Sequence, residues 1–190
     1  QPGPVMAAAD TFQVIIHGRG GHAAYPHECA DPIAAAAGLI GALQTVVSRR
    51  TNPFDTAVVS VTQIHGGSAD NVIPETVEFS GTIRSFEPRV RDHLVSQMEQ
   101  IIADFSRAYG VRSEFHFREG YPSLVNHPVP SGWVKRAADD LDLAHVPQAT
   151  MGGEDMAYFL QQVPGAFFFL GAGPQDSNRV FPHHHPKFQL

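Results

Sequence analysis

Residues 88–110 read PRVRDHLVSQMEQIIADFSRAYG, and this stretch has the clearest helical periodicity in the chain. Its apolar side chains recur at the spacing that places them on one face of an α-helix. Pro88 suits the first turn of a helix, and Gly110 is a typical helix stop. We therefore predict an amphipathic helix whose apolar face is formed by Val90, Leu94, Met98, Ile101, Phe105 and Ala108.

The segments that flank this helix alternate between apolar and polar residues, with the two-residue period of a half-buried strand. Residues 76–84 precede the helix and residues 111–119 follow it. We expect their apolar side chains to face the helix and their polar side chains to form the opposite sheet face. The apolar positions are Val77, Phe79, Ile83, Phe115 and Phe117.

The first half of the chain has the same kinds of element. Residues 11–17 alternate as a strand, and residues 58–64 form a β-branched segment that ends at His-Gly-Gly. Between them, Asp31 is suited to cap a helix that begins at Pro32 and should end before Asn52.

The order strand, helix, strand, strand, helix, strand over residues 11–119 is that of the split βαβ unit. We therefore predict a ferredoxin-like α+β domain within the broad α/β class. It would have a four-stranded antiparallel sheet, two helices on one face, and a polar second face, which is common for antiparallel sheets.

Residues 120–190 do not continue this pattern. Several prolines up to Pro130 indicate a connection, after which we predict a helix over residues 133–143. We also predict a short helical segment over residues 156–163 and a wholly apolar strand over residues 166–170. A strand of this kind expects cover on both faces, so we infer that the tail is part of a larger α/β domain.

The composition argues against several classes of function. Thirteen Lys and Arg against nineteen Asp and Glu give a net charge of −6, which opposes sequence-independent binding to nucleic acid or anionic lipid. Cys29 is the single cysteine, so disulfide frameworks and cysteine-based zinc modules are excluded. We find no apolar run long enough for a membrane span and no signal-peptide pattern, so we expect a cytoplasmic protein.

The eleven histidines stand out, because histidine is a common metal ligand and proton carrier. His22 follows a glycine-rich stretch that matches neither the Walker nor the dinucleotide phosphate loop. His183, His184 and His185 are consecutive, and at most two of them would point the same way from a regular strand. Each of these histidines also has an ordinary interpretation as a loop residue.

Other polar positions have both a structural and a functional interpretation. Arg84 is either a solvated charge on the sheet or a partner for a substrate carboxylate, to which its planar guanidinium is well matched. Asn71 either bonds the backbone of a turn or donates to a ligand. Glu154 and Asp155 precede a predicted helix and are suited to capping it.

Several short motifs occur in order along almost the whole chain. They are GRGGHAAYPH at 18–27, DPI at 31–33, NVIPE at 71–75, GTIR at 81–84, MGGEDM at 151–156 and HHPKF at 184–188. Together they resemble the hippurate hydrolase and aminoacylase metallohydrolases, a family that also contains the indole-acetyl-amino-acid hydrolases and related carboxypeptidases.

This resemblance implies a catalytic α/β domain that binds two divalent metal ions, with an inserted lid domain that also forms a homodimer. Residues 11–119 match the lid, and residues 1–10 and 120–190 match parts of the catalytic domain. The implied metals are zinc, manganese, cobalt or nickel. The implied reaction is hydrolysis of the amide bond of an N-acyl-amino acid or small peptide by metal-activated water.

By the same resemblance, His22 is the lid histidine that reaches across the dimer to the oxyanion of the tetrahedral intermediate. Asn71 and Arg84 are similar to the residues that hold the substrate's free carboxylate. Gly152 and Gly153 are similar to a turn that lines the substrate cleft.

His184 resembles the last metal ligand, with the choice among the three consecutive histidines left open. The family's other ligands and its general-base glutamate come from segments before the lid that this sequence does not contain, so we expect this chain alone to be inactive. One alternative is a non-catalytic dimerisation module that binds amino-acid carboxylates through Arg84. Another is RNA binding, which would need aromatic side chains on the polar sheet face.

Overall fold

The computed structural model describes residues 1–144, 148–171, 181 and 185–188. Its strands are β1 Gly3–Met6, β2 Ala8–His17, β3 Gly21–His22, β4 Ala57–Gly66, β5 Val72–Ile73, β6 Thr76–Ser85, β7 Arg112–Tyr121 and β8 Leu124–Asn126. Its α-helices are α1 Pro32–Arg50, α2 Pro88–Tyr109, α3 Pro128–Asp140 and α4 Met156–Leu160.

The four long strands form an antiparallel sheet in the order β4-β6-β2-β7. This order confirms the predicted split βαβ topology, in which the first and third strands of the unit are central. β2 and β6 pair without interruption, from Ala8 opposite Ser85 to His17 opposite Thr76. α1 and α2 pack against each other and against one face of the sheet.

The core between the helices and the sheet is built by the predicted alternation. Phe12, Val14 and Ile16 of β2 are at most 2% exposed, whereas the residues between them are exposed or half-buried. Phe115 and Phe117 of β7 also pack against this core. Other members are Val77, Phe79, Ile83, Val90, Leu94 and Met98. We call this layer of β2, β4, β6, β7, α1 and α2 the sheet unit.

The two helices of the sheet unit begin and end at the predicted residues. The Asp31 carboxylate caps α1 by accepting hydrogen bonds from the Ile33 N–H at 2.8 Å and the Ala34 N–H at 3.3 Å. Gly110 ends α2 with a left-handed φ of 65°, a conformation that only glycine adopts without strain.

By length and composition, α1 is the one helix in the described ranges that is apolar enough to cross a membrane. A helix that covers a protein core passes the same test. Ala36, Leu39, Leu43 and Val46 are at most 1% exposed against the sheet unit, so this side of α1 is already covered by protein.

A second unit joins the start of the chain to its C-terminal part. β1 pairs antiparallel with β8, and Val5, Met6, Leu124 and Ala157 form a separate hydrophobic cluster. The Ala7 N–H donates to the carbonyl oxygens of Thr150 at 3.2 Å and Gly152 at 3.0 Å. We call β1, β8, α4 and the turn before α4 the second unit.

The helix predicted over residues 133–143 begins earlier than expected, at Pro128. Proline is favourable in a first turn because its missing N–H would have no partner in the helix there. The His127 Nδ1 accepts a hydrogen bond from the Val129 N–H at 3.3 Å. Two of the prolines interpreted as a connection, Pro128 and Pro130, therefore lie in the first turn of α3, which ends at Asp140. α4 is shorter than the predicted segment and ends at Leu160.

The predicted apolar strand over residues 166–170 does not form. The side-chain amide of Asn126 instead bonds both backbone groups of Phe167, accepting from its N–H at 2.7 Å and donating to its carbonyl oxygen at 2.8 Å. Phe169 and Leu170 are 57% and 72% exposed. The segment has the residues of a buried strand but no neighbouring strand among the described residues.

The core face of β2 also carries a carboxyl group. Asp10 is fully buried, and its Oδ1 accepts a hydrogen bond from the Gly120 N–H at 2.9 Å, while no bond to its Oδ2 is found in the described part of the chain. Burial raises the pKa of the Asp10 carboxyl, although the backbone bond and the guanidinium groups of Arg91 and Arg84 act in the opposite direction.

Replacing Gly81 tests the close contact at the sheet centre. A Cβ at this position would overlap the Ser60 carbonyl oxygen and lie 2.8 Å from Cζ of Phe12. Gly81→Ala should therefore lower the free energy of unfolding by about 3 kcal/mol in urea denaturation. Gly132→Ala is the control, because the one neighbour that its Cβ would meet within the described part of the chain is Arg136 Nη1, at 3.7 Å. Equal stability of the two variants would contradict the packing described here.

Replacing Asp10 tests its raised pKa. Because burial makes Asp10 easier to protonate in the folded protein than in the unfolded chain, the wild type should lose stability as pH rises from the unfolded pKa of about 3.9 through the higher folded pKa. Asp10→Asn does not titrate and should gain stability relative to wild type between about pH 3 and about pH 7. Urea unfolding at both pH values measures this difference. A difference independent of pH would show that Asp10 has no raised pKa.

Candidate functional site

The loop after β2 is rich in glycine because other backbone segments pass close to it. A Cβ at Gly18 would overlap the Ala30 carbonyl oxygen, and a Cβ at Gly20 would lie 2.5 Å from the Ile73 carbonyl oxygen. The loop leads directly into β3, which pairs with β5. The glycines therefore position the chain around His22.

His22 presents a polar ring edge at the surface. Its Nδ1 accepts a hydrogen bond from the Ala24 N–H at 3.1 Å, so a neutral ring carries its proton on Nε2. The side chain is exposed, and its ring centroid lies 5.5 Å from that of Tyr25. A hydrogen-bond donor on an exposed ring is the group that an oxyanion requires.

Asn71 lies beside the His22 segment. It immediately precedes β5, and its carbonyl oxygen accepts a hydrogen bond from the Ala23 N–H at 3.0 Å. His22 itself is opposite Val72 in the two-stranded sheet of β3 and β5. The structure thus brings two of the predicted site residues together at one end of the molecule.

Arg84 and Gly153 of the predicted cleft turn both lie beside Ala9, near the other end of β2. Arg84 is opposite Ala9 in the sheet, and its Nη1 donates to the carbonyl oxygens of Asp10 at 3.5 Å and Ile83 at 3.3 Å. A Cβ at Gly153 would lie 2.5 Å from the Ala9 side chain. Ala9 therefore lies between Arg84 of β6 and the Gly152–Gly153 turn.

The predicted site residues form two groups within one chain. His22 and Asn71 lie beyond the end of the sheet where His17 faces Thr76, and Arg84 lies eight residues along β6 from Thr76. At about 3.3 Å per residue, Thr76 and Arg84 lie roughly 26 Å apart along β6, so the two groups lie near opposite ends of this strand. Asn71 and Arg84 of one chain therefore do not hold the same carboxylate group.

The open sheet face carries a charged cluster that the sequence analysis did not single out. Glu114 lies within 3.0 Å of His17 Nε2 and 3.4 Å of His116 Nε2, and it accepts a 2.8 Å hydrogen bond from Arg112. The Arg112 guanidinium, helped by the two histidines, holds the pKa of Glu114 below its usual range. The register of β2 against β7 brings His17 to this cluster, and that register is not visible in either segment alone.

The condition for the RNA-binding alternative is not met on β7. Phe115 and Phe117 pack against the core, and Tyr121 at the end of β7 packs edge-on against Tyr158, so the open face of this strand has no row of aromatic rings for base stacking. The net charge of −6 also opposes binding to the negatively charged backbone of RNA.

The described residues do not form a metal site. Among them, no group of three or more histidine, cysteine, aspartate or glutamate side chains could hold a metal ion. The predicted ligand His184 and its neighbour His183 lie outside the described residues. His185 is described, and its ring stacks on Phe181 with a centroid distance of 4.6 Å.

Comparison with known proteins identifies the sheet unit. Residues 8–110 match the peptidase dimerisation domain of the M20 family. The chain is 41% identical over 190 residues to N-acetyl-L-cysteine deacetylase of Bacillus subtilis, a match that covers 99% of this chain and 44% of that protein. It is 36% identical over 187 residues to thermostable carboxypeptidase 1 of Saccharolobus solfataricus, covering 98% of this chain and 48% of that protein.

A solved structure gives the same result. The chain superposes with a TM-score of 0.77 and 31% identity on a dinuclear metal-binding peptidase of the M20 family from Bacillus subtilis, covering 100% of this chain and 46% of that one. The chain thus spans about half the length of the relatives it matches. These matches show that the chain belongs to the M20 peptidase family and contains its dimerisation domain.

Proposed function

We propose that this chain is part of a metal-dependent amidohydrolase that cleaves the amide bond of N-acyl-amino acids or small peptides. The observation that carries the proposal is the position of Arg84 beside the Gly152–Gly153 turn, with Ala9 between them. A guanidinium is the side chain best matched to a substrate carboxylate, and a turn without side chains lets a substrate backbone approach closely. The relatives named above, a deacetylase and a carboxypeptidase, support an amide substrate.

Two chains are needed to complete such a site. His22 and Asn71 lie too far from Arg84 of their own chain to contact the same small substrate. In our proposal, one protomer supplies Arg84 and the glycine turn, and the second supplies His22 and Asn71. The proton on His22 Nε2 would then bind the charge that develops on the carbonyl oxygen during attack.

The surface that we propose for dimerisation consists of β4 and the outward side of α1. β4 is at the edge of the sheet, and its outer side has no partner strand among the described residues. Exposed strand edges tend to pair with another chain. Next to it, Ile33 is 46% exposed, and Ala34 and Ala37 are also exposed. A second copy would cover this apolar surface and extend the sheet.

The second unit supports the assignment of the segments before β2 and after β7 to a catalytic domain, with boundaries at Ala8 and Tyr121 instead of the expected 1–10 and 120–190. Its hydrophobic cluster joins the two segments and is separate from the core of the sheet unit. The two divalent metal ions of the proposed enzyme would be held largely by residues from outside the described part of this chain. His184 remains our candidate ligand from this chain, and a cytoplasmic location remains part of the proposal.

Kinetics of the complete protein, with its upstream segment present, test the proposed roles. We expect metal-dependent hydrolysis of an acyl-amino acid such as hippurate. Arg84→Ala should raise KM by roughly 10- to 100-fold, because a charged hydrogen bond to the substrate is lost. His22→Ala should lower kcat by about 100-fold with a smaller effect on KM, because its contact forms in the transition state.

Arg118→Ala is the matched control for Arg84→Ala, since both arginines lie on the open sheet face but Arg118 is opposite Thr11 at another position. Its kinetic constants should equal those of the wild type. A metal-loaded complete protein inert on every such amide would overturn the enzymatic proposal. Calorimetric binding of amino-acid carboxylates without metal, abolished by Arg84→Ala, would then favour the non-catalytic binding module.

The dimer surface is tested by placing a charge on α1. Ala37→Glu would bury an unpaired carboxylate in the proposed interface and should weaken the dimer at least about a hundredfold in sedimentation equilibrium. Ala103→Glu places the same charge on the exposed side of α2 and should leave the dimer unchanged. Equal dimer affinity for the two variants would exclude this surface.

A further inference from the structure

The chain passes between the sheet unit and the second unit at two neighbouring points. Ala7 precedes β2 and Pro122 follows β7, and Ala9 is opposite Tyr121 in the pairing of these strands. Since both connections are adjacent, any rotation of one unit against the other acts first on this pair of strand ends.

A β-bulge lies at this junction. Between the pair of Ala9 with Tyr121 and the pair of Thr11 with Arg118, β7 has one residue more than β2. A Cβ at Gly120 would overlap the Ala9 carbonyl oxygen, so only glycine fits there without displacement. Bulges of this kind redirect the strand and are common beside active sites.

Side chains from both units hold Gly120. Its N–H donates to the buried Asp10 carboxylate of the sheet unit at 2.9 Å. Its carbonyl oxygen accepts a 3.0 Å hydrogen bond from the Tyr158 hydroxyl of α4 in the second unit. The Tyr158 ring also contacts the Tyr121 ring edge-on, with a centroid distance of 6.2 Å. Gly120 is therefore a hydrogen-bonded link between the units.

The link extends to both parts of the candidate substrate site. On the sheet side, the Asp10 carbonyl oxygen accepts the bond from Arg84. On the other side, the turn that contains Gly153 ends at Asp155, and Tyr158 follows three residues later in α4. A Cβ at Gly153 would lie 3.3 Å from Cδ2 of Tyr121, so the turn rests on the same junction.

We propose that Asp10 and Tyr158 are positioning residues that fix the separation between Arg84 and the Gly152–Gly153 turn by holding Gly120 from its two sides. The inference rests on the proposed function, because it concerns how a substrate with its carboxylate on Arg84 aligns its amide bond in the cleft. Loss of the link leaves the carboxylate contact intact but misaligns the amide.

The first test is Tyr158→Phe, which removes the hydroxyl and keeps the ring. In hydrogen exchange of the 190-residue chain, residues 151–160 should exchange at least about tenfold faster, while α2 exchanges as in the wild type. Tyr109→Phe is the control, because it removes a hydroxyl from a ring stacked on Phe105 in α2, away from the junction. Unchanged exchange at residues 151–160 in Tyr158→Phe would overturn the link, whether or not the protein is an enzyme.

The second test is kinetic and uses the complete protein with hippurate. Tyr158→Phe should lower kcat by roughly 10- to 100-fold with KM within about twofold, because alignment is lost and carboxylate binding is kept. Asp10→Asn, which keeps an acceptor oxygen for Gly120, should lose much less activity than Asp10→Ala. Faster exchange in Tyr158→Phe together with unchanged kcat would overturn the positioning role. A wild type inert on amides would instead contradict the proposed function while the exchange result still decides the link.

Discussion

The uninterrupted pairing of β2 with β6 is the constraint on which the rest of the structure depends. All ten residues of β2 pair with β6, and the alternate ones carry the apolar side chains that α1 and α2 cover. Because the two strands are antiparallel and in full register, the end of β2 that leads to His22 lies at the start of β6. Arg84 lies at its far end. One backbone ladder thus fixes both the core and the distance between the two groups of candidate residues.

Local patterns in the sequence predict the sheet unit well because its determinants are local. The alternation in β2 and β6 and the helical spacing in α2 each follow from a few neighbouring residues. The caps at Asp31 and Gly110 depend on single side chains. Asp10 was missed although it continues the phase of Phe12 and Val14, because a carboxyl group is not expected on a core face.

Other features depend on distant parts of the chain, and the sequence alone does not determine them. The residues 166–170 have the composition of a buried strand, but forming one requires a neighbouring strand. The contacts of Glu114 depend on the register between β2 and β7. The two groups formed by His22 with Asn71 and by Arg84 with Gly153 likewise become visible only when the sheet is assembled. Motifs identify such residues, whereas the topology decides which of them share a substrate.

The amide of Asn126 that bonds the backbone of Phe167 has a practical consequence for handling this chain. The amide pairs the backbone N–H and carbonyl oxygen of Phe167. The following residue, Phe168, is 59% exposed and has the high β-propensity of an aromatic residue. A short apolar segment in this state is a template for intermolecular strand addition. Concentrated solutions of the isolated chain should therefore precipitate through this segment, and solubility would depend on whatever polypeptide shields it.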